Sequence, residues 1–285
     1  MKAEELRKLL PPRPEDMHKG YRGRLMIAGG SARYPGAPAL SALGALRSGA
    51  GVVTVLSLQR VCEACAARLP EVIYCFDDDA FRWKEVALAQ KNIDALVIGP
   101  GLDRSVAAEI FTSRMWREWP GKILVDGDGL NALAVSRDDL KPRKDSVMTP
   151  HEGEAGRLLG VTPEDVRADR PGAVRELSER WGCVVLKGHH TLIAAGDKFV
   201  EIPYGGPELS VPGSGDVLSG CIGAFLAGGL EAFDAAVLGA SVHGLAGELL
   251  AREGVDGVLA SDIANTLRKV IHALRAGNDI SPQAC

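Results

Sequence analysis

Short, continuously apolar runs alternate with segments of helical period along almost the whole chain. The runs are RLMIAGG, GVVTVLS, IDALVIGPG, KILVDGDG, DSVMTP, CVVLKG and TLIAAG. Stretches such as ALVIG do not alternate apolar with polar residues, as expected of strands covered on both faces. Between them lie helical patterns, the first being the small-residue segment GAPALSALGALRSGA. This order predicts an α/β fold, a central mostly parallel β-sheet covered by helices on both faces. The last third is helix-dominated. Val217, Leu218, Cys221, Ile222, Phe225 and Leu226 recur with helical period, as do Leu238, Val242, Leu245 and Leu249. Ile263, Leu267, Val270, Ile271 and Leu274 repeat the pattern, with Ser261-Asp262 as the expected N-cap. No linker or repeat divides the chain, so one domain over 1–285 is expected, with 1–17 as an N-terminal extension.

Composition narrows the class. Hydrophobic residues at 46% and charged residues at 25% are ordinary globular values and exclude disordered and membrane classes. A net charge of −4, without a basic cluster interleaved with aromatics, speaks against nucleic acid as a partner. No run of about 18 apolar residues exists, so no membrane span is expected. The opening MKAEELRKLLPPRPEDMHKG lacks the apolar core of a signal peptide, and a cytoplasmic location is expected. Cys62 and Cys65 have the C-x-x-C spacing, but zinc would need a second pair or nearby histidines. RVCEACAARL reads instead as a helix whose cysteines fill small core positions.

Glycines and polar residues gather where strands end, at AGGS, IGPG, VDGDG, MTPHEGE and LKGHHT. In open α/β sheets, ligands sit beyond the carboxyl ends of the strands, so these turns predict a nucleotide-sized cleft. The stretch VPGSGDVLSG adds chemistry. Gly213, Ser214 and Gly215 leave backbone N–H groups at the positive end of a helix, and Asp216 stands beside them. Such a turn suits an anion held next to a base; the structural alternative is that Asp216 only complements the helix dipole.

The block HKGYRGRLMIAGGSARYPGAPALSALGALRSGAG (His18 to Gly51) is followed by GPGLDRS, VDGDGLNAL, TPHEGEAGRLLG, VVLKGHHTLIA and PGSGDVLSG. In this order they resemble the NAD(P)H-hydrate dehydratases of the ribokinase-like superfamily, from about His18 to the C-terminal GVLASDI. The resemblance implies a repair reaction in which hydrated NADH or NADPH is dehydrated with ADP, or in some members ATP, as phosphoryl donor and Mg2+ as cofactor. Hydroxide leaves poorly, so the ring hydroxyl is first phosphorylated, and phosphate is then expelled by the ring nitrogen. Phosphoryl transfer asks for positioning and for stabilisation of spread negative charge.

The same resemblance assigns roles. Asp216 is the base, with the amides around Gly213, Ser214 and Gly215 as the anion hole. Pro212 departs from the family, which carries Gly at that place; it removes one N–H and stiffens the loop. His151 is implied to touch the hydrated nicotinamide, and Glu154 to hold magnesium through water. A purely structural reading gives Thr149 to Glu152 as a T-x-x-E capping box, with Pro150 first in the helix, and leaves His151 and Glu154 unexplained. Lys187, Gly188, His189, His190 and Thr191 become adenine-nucleotide contacts, and Gly36, Ala37 and Gly101 lie against the dinucleotide. His189 and His190, as neighbours on an extended chain, are expected to point apart, which argues against a metal there. Asp126 and Asp128 are expected to meet ligand or magnesium-bound water. His243, on a face with Gly239, Ala240 and Gly247, is expected to be structural.

Two other classes of function stay open on sequence. A vitamin-precursor kinase of the same superfamily would use the same base and anion hole, although the His18–Gly51 block resembles the dehydratases. A non-catalytic nucleotide sensor would have little use for Asp216. About 17 residues precede HKG, so a separate epimerase is expected to interconvert the hydrates. Homo-oligomers are common among the proteins it resembles, and one is expected here.

Overall fold

The computed structural model describes residues 2–14, 16 and 19–278, so His18, where the resemblance begins, lies outside the described residues. The strands are β1 (Arg24–Ala28), β2 (Val52–Ser57), β3 (Ile73–Phe76), β4 (Ala95–Ile98), β5 (Lys122–Val125), β6 (Ser146–Met148), β7 (Cys183–Leu186), β8 (Thr191–Ala195) and β9 (Lys198–Ile202). They form one sheet of order β3-β2-β1-β4-β5-β6-β7-β8-β9, parallel as far as β7 and antiparallel beyond it. The helices are α1 (Ala3–Leu9), α2 (Ala37–Ser48), α3 (Gln59–Ala66), α4 (Trp83–Ala89), α5 (Val106–Glu118), α6 (Asp128–Val135), α7 (Glu152–Leu159), α8 (Pro163–Ala168), α9 (Arg170–Trp181), α10 (Ser214–Ala227), α11 (Ala232–Ala251) and α12 (Ala260–Ala276).

The unbroken apolar runs have a simple cause: alternate residues of each strand feed two separate cores. Leu25, Ile27, Val53, Val55, Val97 and Val185 pack with α2, α10, α11 and α12. Met26, Ala28, Leu56, Ile98, Val125 and Leu186 pack with α5, α6, α7 and α9. Part of the stretch read as an extension contributes to the first core, since α1 buries Leu6 and Leu10 follows it there. Cys62 and Cys65 are buried on α3 with free thiols.

Neither sheet edge is written as an apolar run. On β3, Ile73 and Phe76 are exposed, and on β9 only Ile202 is buried. The expected N-cap of the last helix is also corrected. The helix begins at Ala260, so Asp262 sits in its first turn, where its carboxylate accepts the Leu259 N–H at 2.9 Å.

The glycine-rich turns follow β1, β4, β5, β6 and β7, which are consecutive in the sheet. They therefore line one edge, and the switch of strand order between β1 and β4 opens the crevice there. Two helices on one face are drawn close together above it. Gly220 of α10 lies against α2 so tightly that a Cβ would stand 1.8 Å from the Ser41 carbonyl oxygen. Ser41 Oγ and Ser219 Oγ meet nearby at 3.3 Å. Gly220→Ala is accordingly expected to push the helices apart and to destabilise the fold by about 3 kcal/mol or more, seen as a lower midpoint in thermal unfolding. An unchanged midpoint would mean that α2 and α10 are not packed this closely.

Candidate active site

The start of α10 is built by a turn. Ser214 N–H donates to Val211 O at 3.2 Å, and Gly213 has φ 88° and ψ −5°. These are the features of a type II turn, with Gly213 at its left-handed corner and Pro212 at the position where proline is favoured. Pro212 thus has a local reason to be there. The Ser214 N–H, expected in the anion hole, is engaged by the Val211 carbonyl. Within this turn, the described amides with no protein acceptor are those of Gly213, Gly215 and Asp216.

Ser214 is held from behind by His243 on α11. The buried imidazole reaches Ser214 through Nε2, which donates to the Ser214 carbonyl at 3.1 Å and lies 3.3 Å from its Oγ. Burial pushes this histidine down to about 4, so it is neutral at physiological pH. The small-residue face around His243 gives the expected structural residue, and its specific task is to fix the turn.

Asp216 stands at the centre of a charge cluster. Its carboxyl is pushed up to about 8, first by burial and then by the Asp126 charge, against the pull of Lys187. Lys187 Nζ lies 2.9 Å from Asp126 Oδ1 and 3.7 Å from Glu154 Oε2. Thr149 Oγ1 donates to the same Asp126 oxygen at 2.7 Å. The strand ends of β5, β6 and β7 bring these groups together. Burial opposes the charge on Lys187, but the two carboxylates outweigh it and hold the ammonium well above its ordinary range.

The expected capping box is also displaced. The cap of α7 is His151, whose Nδ1 accepts the N–H groups of Gly153 at 3.0 Å and Glu154 at 3.4 Å. Glu154 Oε2 completes the box by accepting the His151 N–H at 2.9 Å. Thr149 is turned toward Asp126, and Glu152 pairs with Arg167 at 3.0 Å. The residues that a structural reading left unexplained are those that cap the helix. Burial and Lys187 push His151 below its usual value, which leaves its Nε2 free to carry a proton in the neutral ring.

Two clefts meet at the first turn of α10. The larger, about 1030 Å³, is bordered by Lys187, Gly188, His189, Thr191, Ser214 and Gly215, together with Tyr204, Pro207 and His243. The smaller, about 270 Å³, is bordered by Tyr34, Ala37, Gly101, His151, Glu154 and Asp216, together with Asp128 and Arg157. His151 borders both. Gly36 precedes Ala37 but opens onto a neighbouring hollow with Leu40 and Leu43. His190 pairs with Glu201 on β9. The two adjacent rings do not point apart: Gly188 has φ 151° and His190 φ 57°, so the chain bends, and the His189 and His190 rings lie 4.2 Å apart. Tyr34, Asn131, Arg157 and Tyr204 carried no sequence signal, because their neighbours come from distant strand ends.

The carboxylates do not form a ready magnesium cage. Among the described residues, no group of three or more histidine, cysteine or carboxylate side chains could hold a metal. Glu154 is engaged at both oxygens, with the His151 N–H at 2.9 Å and His151 Nε2 at 3.4 Å. Asp128 accepts from Asp103 N at 3.0 Å and from Asn131 Nδ2 at 3.2 Å. Among the described residues, no helix is long and apolar enough to cross a membrane.

The chain resembles known proteins over most of its length. The family model described as NAD(P)H-hydrate dehydratase matches residues 25–269. An ADP-dependent (S)-NAD(P)H-hydrate dehydratase of Neisseria meningitidis is 38% identical over 265 residues, covering 90% of this chain and 87% of that protein. A bifunctional NAD(P)H-hydrate repair enzyme of Thermofilum pendens is 37% identical over 277 residues, 93% of this chain and 53% of that protein. The chain thus spans about half the length of the bifunctional relatives it matches. Among solved structures, an ADP/ATP-dependent NAD(P)H-hydrate dehydratase of Bacillus subtilis, co-crystallized with ATP/Mg2+, superposes with a TM-score of 0.84 at 28% identity, covering 96% of this chain and 97% of that one.

Proposed function

The chain belongs to the NAD(P)H-hydrate dehydratase family, with its ribokinase-like fold, and from that premise we propose that it dehydrates the S epimer of hydrated NADH or NADPH with ADP as phosphoryl donor. The observation that carries the reading is the meeting of the two clefts: Gly215 borders the larger and Asp216 the smaller, on consecutive residues. Adenine nucleotide occupies the larger cleft along Lys187, Gly188, His189 and Thr191. The hydrated nicotinamide occupies the smaller, between Ala37, Gly101 and His151.

Asp216 takes the proton of the ring hydroxyl, and the resulting oxygen attacks the terminal phosphorus of ADP. The bond to the bridging oxygen breaks and AMP leaves. The amides of Gly213, Gly215 and Asp216, at the positive end of α10, receive the charge on the moving phosphoryl group. The ring nitrogen lone pair then expels phosphate, and loss of the neighbouring ring proton restores the reduced nicotinamide. An ordinary aspartate is too weak a base for a hydroxyl; one raised to about 8 is matched to the task. His151, neutral through its lowered pKa, offers Nε2–H to the ring without adding a charge beside Lys187. A Mg2+ ion, where bound, would lend charge to the nucleotide phosphates.

The test mixes hydrated NADH with the protein and either ADP or ATP and follows the near-ultraviolet absorbance of reduced nicotinamide. The expected result is a rise that needs nucleotide and yields AMP and phosphate. No rise with either nucleotide, in folded protein, would return the chain to the vitamin-alcohol kinases.

A further inference from the structure

α2 and α10 begin at the Asp216 clefts, and their other ends meet a separate cavity of about 240 Å³. Along the 14 residues of α10 the two places lie about 20 Å apart. The cavity is bordered by Arg13, Arg22 and Arg275, with Tyr21, Phe225 and Ile271 between them. No acidic side chain among the described residues borders it. It shares no bordering residue with either cleft at Asp216. We infer that this cavity binds a small multivalent phosphate anion, inorganic phosphate or diphosphate, between the Arg13 and Arg275 guanidinium groups. The site stands apart from the dehydratase reading and does not depend on it.

Three helix ends and the N-terminal segment build the cavity. Arg13 lies over Gly49, the C-cap of α2, where a Cβ would stand 2.8 Å from its Nη2, and Pro11 lies over Gly228, the C-cap of α10. Arg275 comes from the last turn of α12. The ordinary task of cations at such ends is to bind the last carbonyls, each end being worth about half a charge. The hydrogen bonds do not follow that plan. Arg275 Nη2 donates to Pro11 O at 2.6 Å, its Nε is buried without a partner, and Arg13 donates to no described acceptor. Arg22 adds its charge and is engaged in a contact of its own. Burial, then the Arg13 and Arg22 charges, pull Arg275 below its ordinary range, and burial and Arg22 do the same to Arg13. An anion relieves the repulsion and supplies the missing acceptors together. Guanidinium forks donate two bonds at once and match phosphoryl oxygens. Size narrows the occupant, because the cavity falls below the range of about 300–1,000 Å³ that holds drug-sized ligands, which leaves no room for a nucleoside.

Isothermal titration calorimetry with phosphate and with diphosphate tests the site, in protein saturated with ADP so that the nucleotide cleft is filled. The wild type is expected to bind one anion per chain. Arg13→Ala changes an exposed side chain, and Arg275→Lys keeps the charge but not the fork; each is expected to weaken binding roughly tenfold. Tighter binding of diphosphate assigns the cavity to a diphosphate that spans both arginines, and equal binding assigns it to a single phosphoryl group. The thermal midpoint of the wild type should rise with anion concentration while that of Arg13→Ala does not, against chloride at matched ionic strength. Equal affinity in the wild type and Arg13→Ala, heat that appears only without ADP, or no saturable binding of either anion would each overturn the site.

Discussion

Asp216→Asn is expected to slow turnover by about two to four orders of magnitude while making the protein more stable. The amide keeps the shape of the carboxylate and leaves the free amides of Gly213 and Gly215 in place, so ADP should bind nearly as well. What is lost is the base, and with it roughly 10²- to 10⁴-fold in rate. The stability gain follows from the same pKa. The Asp216 carboxyl titrates at about 8 in the folded protein and at 3.8 when unperturbed. Between those values the folded state holds a proton that the unfolded state has released. The contribution of this group to stability therefore falls as pH rises from 3.8 to about 8. Replacing it with a group that cannot ionise removes a penalty on the order of a few kcal/mol near neutrality. Thermal midpoints of wild type and variant should thus diverge as pH rises from 4 towards 8, the variant melting higher. Wild-type kcat/KM for the hydrate should climb over the same interval and level off above about 8, as the base form fills. A variant that melts lower at pH 8 would show that Asp216 is held as a favourable anion, and the assignment of the base would fail with it.

That a carboxylate would stand beside open amides at this helix start was legible, because GSGD before an apolar helix is a local signal. Its raised pKa was not. Burial sets it first, and the two charges that act next, Asp126 and Lys187, lie 61 positions apart and meet only because β5 and β7 flank β6. The interior strands were legible for a related reason: each alternate residue faces a core, so the run stays apolar. The edges β3 and β9 face solvent on one side and lost that signature. Thr149 shows the limit of local reading most sharply. Its spacing to Glu152 fits a capping box, yet its hydroxyl finds the buried Asp126, while His151, a rarer cap, takes over the helix. A buried carboxylate that needs a donor outweighs a helix end that has another candidate nearby. His243 was readable as structural from its small-residue face, but its grip on Ser214 spans two helices and left no trace in the sequence.

Lys187→Met should be the most damaging single change to the folded state, and its damage should depend on pH. The ammonium is the cation between Asp126 and Glu154, and Asp216 also senses it. Removing one partner of a buried pair typically costs about 3–5 kcal/mol, because the other charge is left uncompensated. Here three carboxyl groups would face one another. Each then gains by holding a proton, so the loss of stability should be greatest above neutrality and should shrink as the carboxyls protonate in acid. Asp216 loses the cation that pulls its pKa down, and the rising limb of kcat/KM should move above about 8. Lys187→Arg keeps the charge and should recover most of the midpoint; adding Glu154→Gln to Lys187→Met should recover part of it by deleting one anion. Melting curves and rate profiles over the same pH range test both halves. If Lys187→Met melts like the wild type at high pH, the lysine is not the counter-ion of the cluster, and its place on the larger cleft would have to serve the nucleotide alone.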